Sequence, residues 1–218
     1  MLSSEAAIAP PPPSRARAAL LKRLADVVCL PSSRVNAFER SMISDLLVEM
    51  LRESEVQDRV RVGRRLCNLV DVPPVLLRLM LRDAIEVAGP LLETSTALTD
   101  ADLVDCARHA SAEHRRLIAM RRGIGELVCQ AIVEPLEAPV IEVLLRNSEA
   151  RLGADSLEVL VAETRAAPRL APLLLRRPEL RPSHAYVLFW WAGTEARTTI
   201  LQRFAVSREV LQEAAGDV

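Results

Sequence analysis

The sequence predicts an all-α protein built as a stack of short helix pairs. Apolar residues make up 50% of the chain, while aromatics are only 3% and glycines number seven. Sandwiches and barrels want aromatics, β-branched runs and glycine turns, whereas Leu, Ala, Arg and Glu are good helix formers. Apolar residues recur at three- and four-residue spacing, and beyond residue 70 turn signals punctuate the pattern at regular intervals.

Taken in order, residues 1–15 read as a disordered proline-rich leader. Ala9-Pro10-Pro11-Pro12-Pro13 cannot be helical and favours extended polyproline II. Leu20, Leu21, Leu24 and Val27-Val28 then set a helical period. Pro31-Ser32-Ser33 stops that helix and can cap the next, in which Phe38, Met42, Leu46-Leu47 and Met50-Leu51 continue the period. The expected helices are 16–29, 37–53 and 57–70, forming an N-terminal helical cap over 16–71.

Beyond the cap a segment ending in an apolar pair recurs. Its copies are Val87-Ala88-Gly89-Pro90-Leu91-Leu92-Glu93, Val140-Ile141-Glu142-Val143-Leu144-Leu145-Arg146 and Leu170-Ala171-Pro172-Leu173-Leu174-Leu175-Arg176. About two repeat units fit between Leu91 and Leu144. Thr99 with Asp102 and Asp155 with Glu158 have the form of capping boxes, Ser111 can cap a helix over 112–121, and Gly193-Thr194 can end one helix and cap the next. The expected pairs are 74–82 with 84–94, 100–110 with 112–121, 123–134 with 137–147, 155–166 with 168–177, and 183–192 with 195–206. Units of nearly 30 residues cannot bury their apolar faces alone and must stack. The expected organisation is one helical domain over 16–216, with repeats over 72–206 and a C-terminal helix over 207–216.

The stretch from Asp83 through Val87, Pro90, Leu92, Ser95, Leu98, Asp100 and Asp102 to Leu103, together with Leu144-Leu145-Arg146-Asn147-Ser148-Glu149-Ala150, resembles an uncharacterised alphaproteobacterial family, the domain of unknown function numbered 2336. The resemblance spans roughly residues 36–206. It implies a HEAT-like helical repeat, an α-solenoid, and carries no catalytic residue across.

The formal net charge of −1 offers no global basic field for nucleic acid or an anionic membrane. Lys22 is the sole lysine among 28 basic residues. A GC-rich genome is the simplest cause, and arginine also enters buried paired networks more readily than lysine. Cys29, Cys67, Cys106 and Cys129 lie apart within apolar runs and read as small hydrophobes in a reducing cytosol. No run approaches the roughly 18 residues of a membrane span, so the expectation is a cytoplasmic protein with no membrane contact.

His109 and His114 are the residues most open to a catalytic reading, but a spacing of five does not stack them on one helical face, and no H-E-x-x-H motif occurs. Neither a metal site nor a cofactor is expected. Ser111-Ala-Glu-His114-Arg115-Arg116-Leu117 faintly resembles a phospho-accepting helix, which needs an exposed histidine. Arginines cluster at 59, 61, 64 and 65, at 115, 116, 121 and 122, and at 176, 177 and 181. They either line an anion-binding groove or pair with acids on solvated faces, and the near-zero charge favours pairing. Five of six aromatics lie between Tyr186 and Phe204. An end repeat has a flank with no following unit to cover it, and Trp, Tyr and Arg dominate binding hot spots, although a helix over 207–216 would seal this end.

The reading is therefore a non-enzymatic protein-binding adaptor or regulatory scaffold, with Tyr186, Trp190, Trp191, Arg121, Arg122, Arg176 and Arg177 as its candidate contact residues. The expected partner is an unidentified protein, with homodimerisation through the aromatic helix as a variant. Histidine phosphotransfer through His114 and nucleic-acid binding are the alternatives.

Overall fold

The computed structural model describes residues 14–31 and 33–204, which contain thirteen α-helices and no strand. The expected leader over 1–15 falls almost wholly outside the described residues, and the expected helix over 207–216 falls wholly outside them. The chain forms two compact units, residues 1–97 and 98–218.

The first unit contains α1 (Ser14–Val28), α2 (Ala37–Arg52), α3 (Val56–Leu66), α4 (Pro74–Leu81) and α5 (Ile85–Thr94). Helices α1, α3 and α5 pack side by side, as do α2 and α4, so successive helices alternate between two layers. Leu21, Ala25, Leu47, Leu51, Leu66, Leu76, Met80, Val87 and Leu91 are fully buried. Gly63 sets the approach of α3 to α5, since a Cβ there would lie 3.0 Å from the carbonyl oxygen of Val87.

Two expectations for this unit need correction. Asn36, not the Pro31 turn, caps α2: its side chain accepts the Glu39 amide at 2.8 Å and Glu39 returns the bond at 3.0 Å. Phe38, Met42 and Leu46 do not face the core; all three are exposed, and Phe38 is 73% exposed. Helix α2 is apolar on two faces, and Ser44, Leu47, Val48 and Leu51 form the buried one.

The second unit contains α6 (Asp100–His109), α7 (Ala112–Ala119), α8 (Glu126–Val133), α9 (Ala138–Arg146), α10 (Ala154–Glu163), α11 (Ala171–Leu174), α12 (Pro182–Phe189) and α13 (Thr194–Arg203). Each pair packs internally, α6 with α7, α8 with α9, α10 with α11 and α12 with α13. The first helices also pack in series, α6 on α8, α8 on α10 and α10 on α12, while α7 packs on α9 and α9 on α11. This is the packing of adjacent helices that a helical repeat requires.

The Thr99–Asp102 capping box forms as expected. The Asp155–Glu158 box does not, because Gly153 is the N-cap and Asp155 sits inside the first turn of α10. Helix 168–177 is shortened to a 3₁₀ turn at Pro168–Leu170 followed by four α-helical residues, since Pro168 and Pro172 remove two amide donors.

The second helices of successive pairs are tied by side chains that grip carbonyls at the helix ends. The Asn147 amide at the end of α9 donates to the carbonyls of Ala119 and Arg121 after α7, at 2.8 and 2.7 Å. Arg177, after α11, donates to the carbonyls of Asn147 and Ala150. Arg203, ending α13, donates to those of Leu175 and Arg177. The donors stand 26 to 30 residues from their acceptors, one helix pair away. Carbonyls at a helix C-terminus lack intrahelical partners, and leaving one buried and unpaired costs about 1–3 kcal/mol. Asn147→Ala is expected to lower the unfolding free energy in urea by about that amount, and a loss below about 0.5 kcal/mol would mean that water satisfies these carbonyls equally well.

Candidate functional site

The candidate contact residues fall into an outward and an inward set. On α12 and its C-cap residue Trp190, Ala185 and Leu188 are buried and Tyr186, Val187 and Trp190 are exposed, so one face of this short helix anchors it while another faces outward. Tyr186 is 53% and Trp190 66% exposed. Their rings meet edge to face with centroids 5.9 Å apart, the geometry that aligns the positive edge of one ring with the negative face of the other.

Trp191 turns the other way. Its indole Nε1 donates to Thr164 Oγ1 at 2.8 Å, and the Arg165 guanidinium lies 4.7 Å from its ring centroid. Trp191 thus forms a wall of a cleft of about 460 Å³ between α10–α11 and the α12–α13 turn, along with Pro168, Pro172 and Gly193. Arg197 of α13 donates to the carbonyls of Phe189 and Trp190 at 3.0 and 3.3 Å and stacks 5.4 Å from the Phe189 ring. These contacts fix the C-terminal end of α12, where Trp190 projects.

The arginines also divide. Arg122 and Arg176 are exposed, with Arg122 only 3.8 Å from Glu149. Arg121 is half-buried, and burial lowers its pKa. Arg177 is not a surface residue at all: it is 3% exposed and bound to two carbonyls and to both oxygens of Glu179. Burial by itself would raise the Glu179 carboxyl, but the bonds from Arg177 hold it below its ordinary range. Arg177 is a structural residue, and its place in the contact set is withdrawn.

His114 is likewise 4% exposed, with Nδ1 2.8 Å from Ser111 Oγ; Ser111 stands at the N-cap of α7 as expected, but its side chain partners the ring and makes no capping bond. The exposed face that phosphotransfer needs is absent, which removes that reading. The neighbouring Arg115 is buried and donates to the Ala107 and Ala110 carbonyls and to both oxygens of Glu137, whose pKa those bonds lower. His109 is exposed, with Nδ1 2.9 Å from the Asp105 carbonyl oxygen. Cys106 and Cys129 are buried, and burial pushes the Cys129 thiol up to about 12, so it carries no thiolate chemistry at neutral pH. Cys29 and Cys67 are only partly buried. Among the described residues no group of three or more His, Cys, Asp and Glu is placed to hold a metal ion, and no helix is long and apolar enough to cross a membrane.

Sequence reasoning missed Arg165 and Arg197, whose roles depend on which carbonyl or ring lies across the turn. It also missed that adjacent tryptophans part to opposite sides, although a 100° turn per residue carries that signal.

His184 is buried beneath the exposed face of α12, and its Nδ1 accepts the Arg181 amide at 3.4 Å. Burial lowers its pKa from the usual 6.5, nearby Arg181 lowers it further, and Glu158 opposes them. The unfolded chain therefore binds this proton more readily, so the stability that neutral His184 contributes is complete above pH 6.5 and declines as pH falls below it. A His184→Gln variant should show a flatter unfolding free energy between roughly pH 7 and 5.5 in urea titrations. Glu137 and Glu179, lowered from 4.5, act only at lower pH, so an unchanged slope in that window would show that His184 does not control it.

No curated protein and no solved structure matches the chain. The sequence model of one family, described as an uncharacterised protein conserved in bacteria (DUF2336), matches residues 87–218. That match begins in the first turn of α5 and takes in the whole second unit, rather than the 36–206 span expected. It contains the Asn147 and Arg177 ties and the aromatic face of α12, and on that match the chain belongs to the DUF2336 family.

Proposed function

We propose that the chain is a non-catalytic protein-binding adaptor that uses the exposed face of α12, with Tyr186 and Trp190 as its anchors. The single observation that carries this is the exposed edge-to-face aromatic pair on a helix whose other side is tied down by Arg197 and Trp191. Large aromatic side chains bury much area at low entropic cost, and rigid presentation reduces what must be ordered on binding. Arg122 and Arg176, exposed at the turns after α7 and α11, supply cations for the polar edge of the same partner.

The test is capture of the tagged protein from its native lysate with quantitative mass spectrometry, beside a Tyr186→Ala/Trp190→Ala variant of unchanged helicity and melting point. Trp191 is left intact because its Thr164 and Arg165 contacts belong to the fold. A near-stoichiometric protein that is lost with the variant, and that rebinds the wild type from purified components with an affinity at least about tenfold higher, is the expected result. Equal rebinding by both forms would remove α12 as the contact face. Capture of the chain's own copies alone would make the face a homodimer interface.

A further inference from the structure

The first unit holds a basic cleft that the adaptor reading leaves unused. Helices α1 and α3 pack against each other, and between them lies a cleft of about 570 Å³, a volume within the range of small-molecule sites. Its base is apolar, formed by Ala18, Leu21 and Val62, the last two almost fully buried. Its rim carries four cations, Lys22 of α1 and Arg61, Arg64 and Arg65 of α3, with one carboxylate, Asp58 of α3, among them.

The cations are not equivalent. Arg61 pairs with Asp58 at 2.9 Å, and Arg65 pairs with Asp26. Lys22 and Arg64 are exposed and have no acidic partner among the described residues. Two paired and two unpaired cations over an apolar floor leave the rim with an excess of two positive charges. The chain as a whole carries −1, so this positive charge is local rather than a general basic surface. The chain's sole lysine lies on this rim.

We propose that the α1–α3 cleft binds a phosphate-bearing ligand, with Lys22 and Arg64 donating to the phosphate and Ala18, Leu21 and Val62 under the apolar part of the molecule. Arg61 and Arg65, paired with Asp58 and Asp26, add no net charge, so the positive excess of the rim is that of Lys22 and Arg64. An ammonium and a guanidinium together can reach several oxygens of one phosphate group, which a lone cation cannot.

The experiment titrates the full chain with inorganic pyrophosphate by calorimetry at low ionic strength. Saturable binding is expected, weakened about tenfold or more by Lys22→Ala/Arg64→Ala and substantially retained by Lys22→Arg/Arg64→Lys. The control Arg146→Ala/Arg169→Ala removes two exposed cations of the second unit and should leave the affinity unchanged. Circular dichroism establishes that each variant is folded, and Lys22→Gln/Arg64→Gln, which removes the charges but keeps polar side chains, stands in if the alanine pair is not. Co-sedimentation with vesicles containing phosphatidic acid, lost in the alanine pair, would assign a lipid headgroup as the source of the phosphate. Pyrophosphate binding without co-sedimentation would assign a free phosphate compound. No saturable binding, equal weakening in the control, or binding of an acidic peptide but not of pyrophosphate would overturn the proposal.

Discussion

The structure depends on one recurring interaction, a guanidinium or amide side chain donating to carbonyls at, or just after, the C-terminal end of a helix. Seven of the eight helices of the second unit have only eight to ten residues, and α11 has four. The last four carbonyls of any helix lack an intrahelical acceptor role, so here they are a large share of the backbone. Arg40 reaches Leu30, Arg59 reaches Ser54, Arg115 reaches Ala107 and Ala110, and Arg197 reaches Phe189 and Trp190. Asn147, Arg177 and Arg203 do the same from one helix pair further on. A positive group at a helix C-terminus also faces the negative end of the helix dipole.

The same interaction accounts for the use of arginine at these positions. A planar fork with five donors can take two carbonyls and a carboxylate at once, as Arg115 and Arg177 do, and an ammonium on a flexible stem does so less well. A GC-rich genome would supply arginine indiscriminately, yet the buried arginines are those with several acceptors. The aromatic face of α12 inherits its rigidity from this arrangement, because Arg197 closes the end of the helix that carries Trp190.

Much of the helical order was legible from apolar period and turn residues, since both are local. Helix α2 begins where expected, and the Thr99–Asp102 box is visible as a three-residue spacing. What was not legible depends on partners across turns. Arg177 and Arg176 are adjacent and chemically identical, yet one is buried against Asn147 and Ala150 and the other is exposed. His114 looks like a polar helix-start residue until the packing around α7 encloses it. Phe38, Met42 and Leu46 keep the helical period as well as Leu47 and Leu51 do, so the period alone cannot say which stripe of α2 faces the core. Pro168 and Pro172 are a local signal, and they shorten α11 as proline chemistry requires.

The most direct test of the carbonyl-gripping account is amide hydrogen exchange, read by mass spectrometry, on Arg177→Met beside the wild type. Methionine keeps the apolar stem but removes the guanidinium donor from the Asn147 and Ala150 carbonyls and from the Glu179 carboxylate. The account predicts that protection falls together at the end of α9, in α11 and in the turn leading to α12, while α6 and α7 keep theirs. Unchanged protection, or a loss confined to residues 175–179, would contradict it.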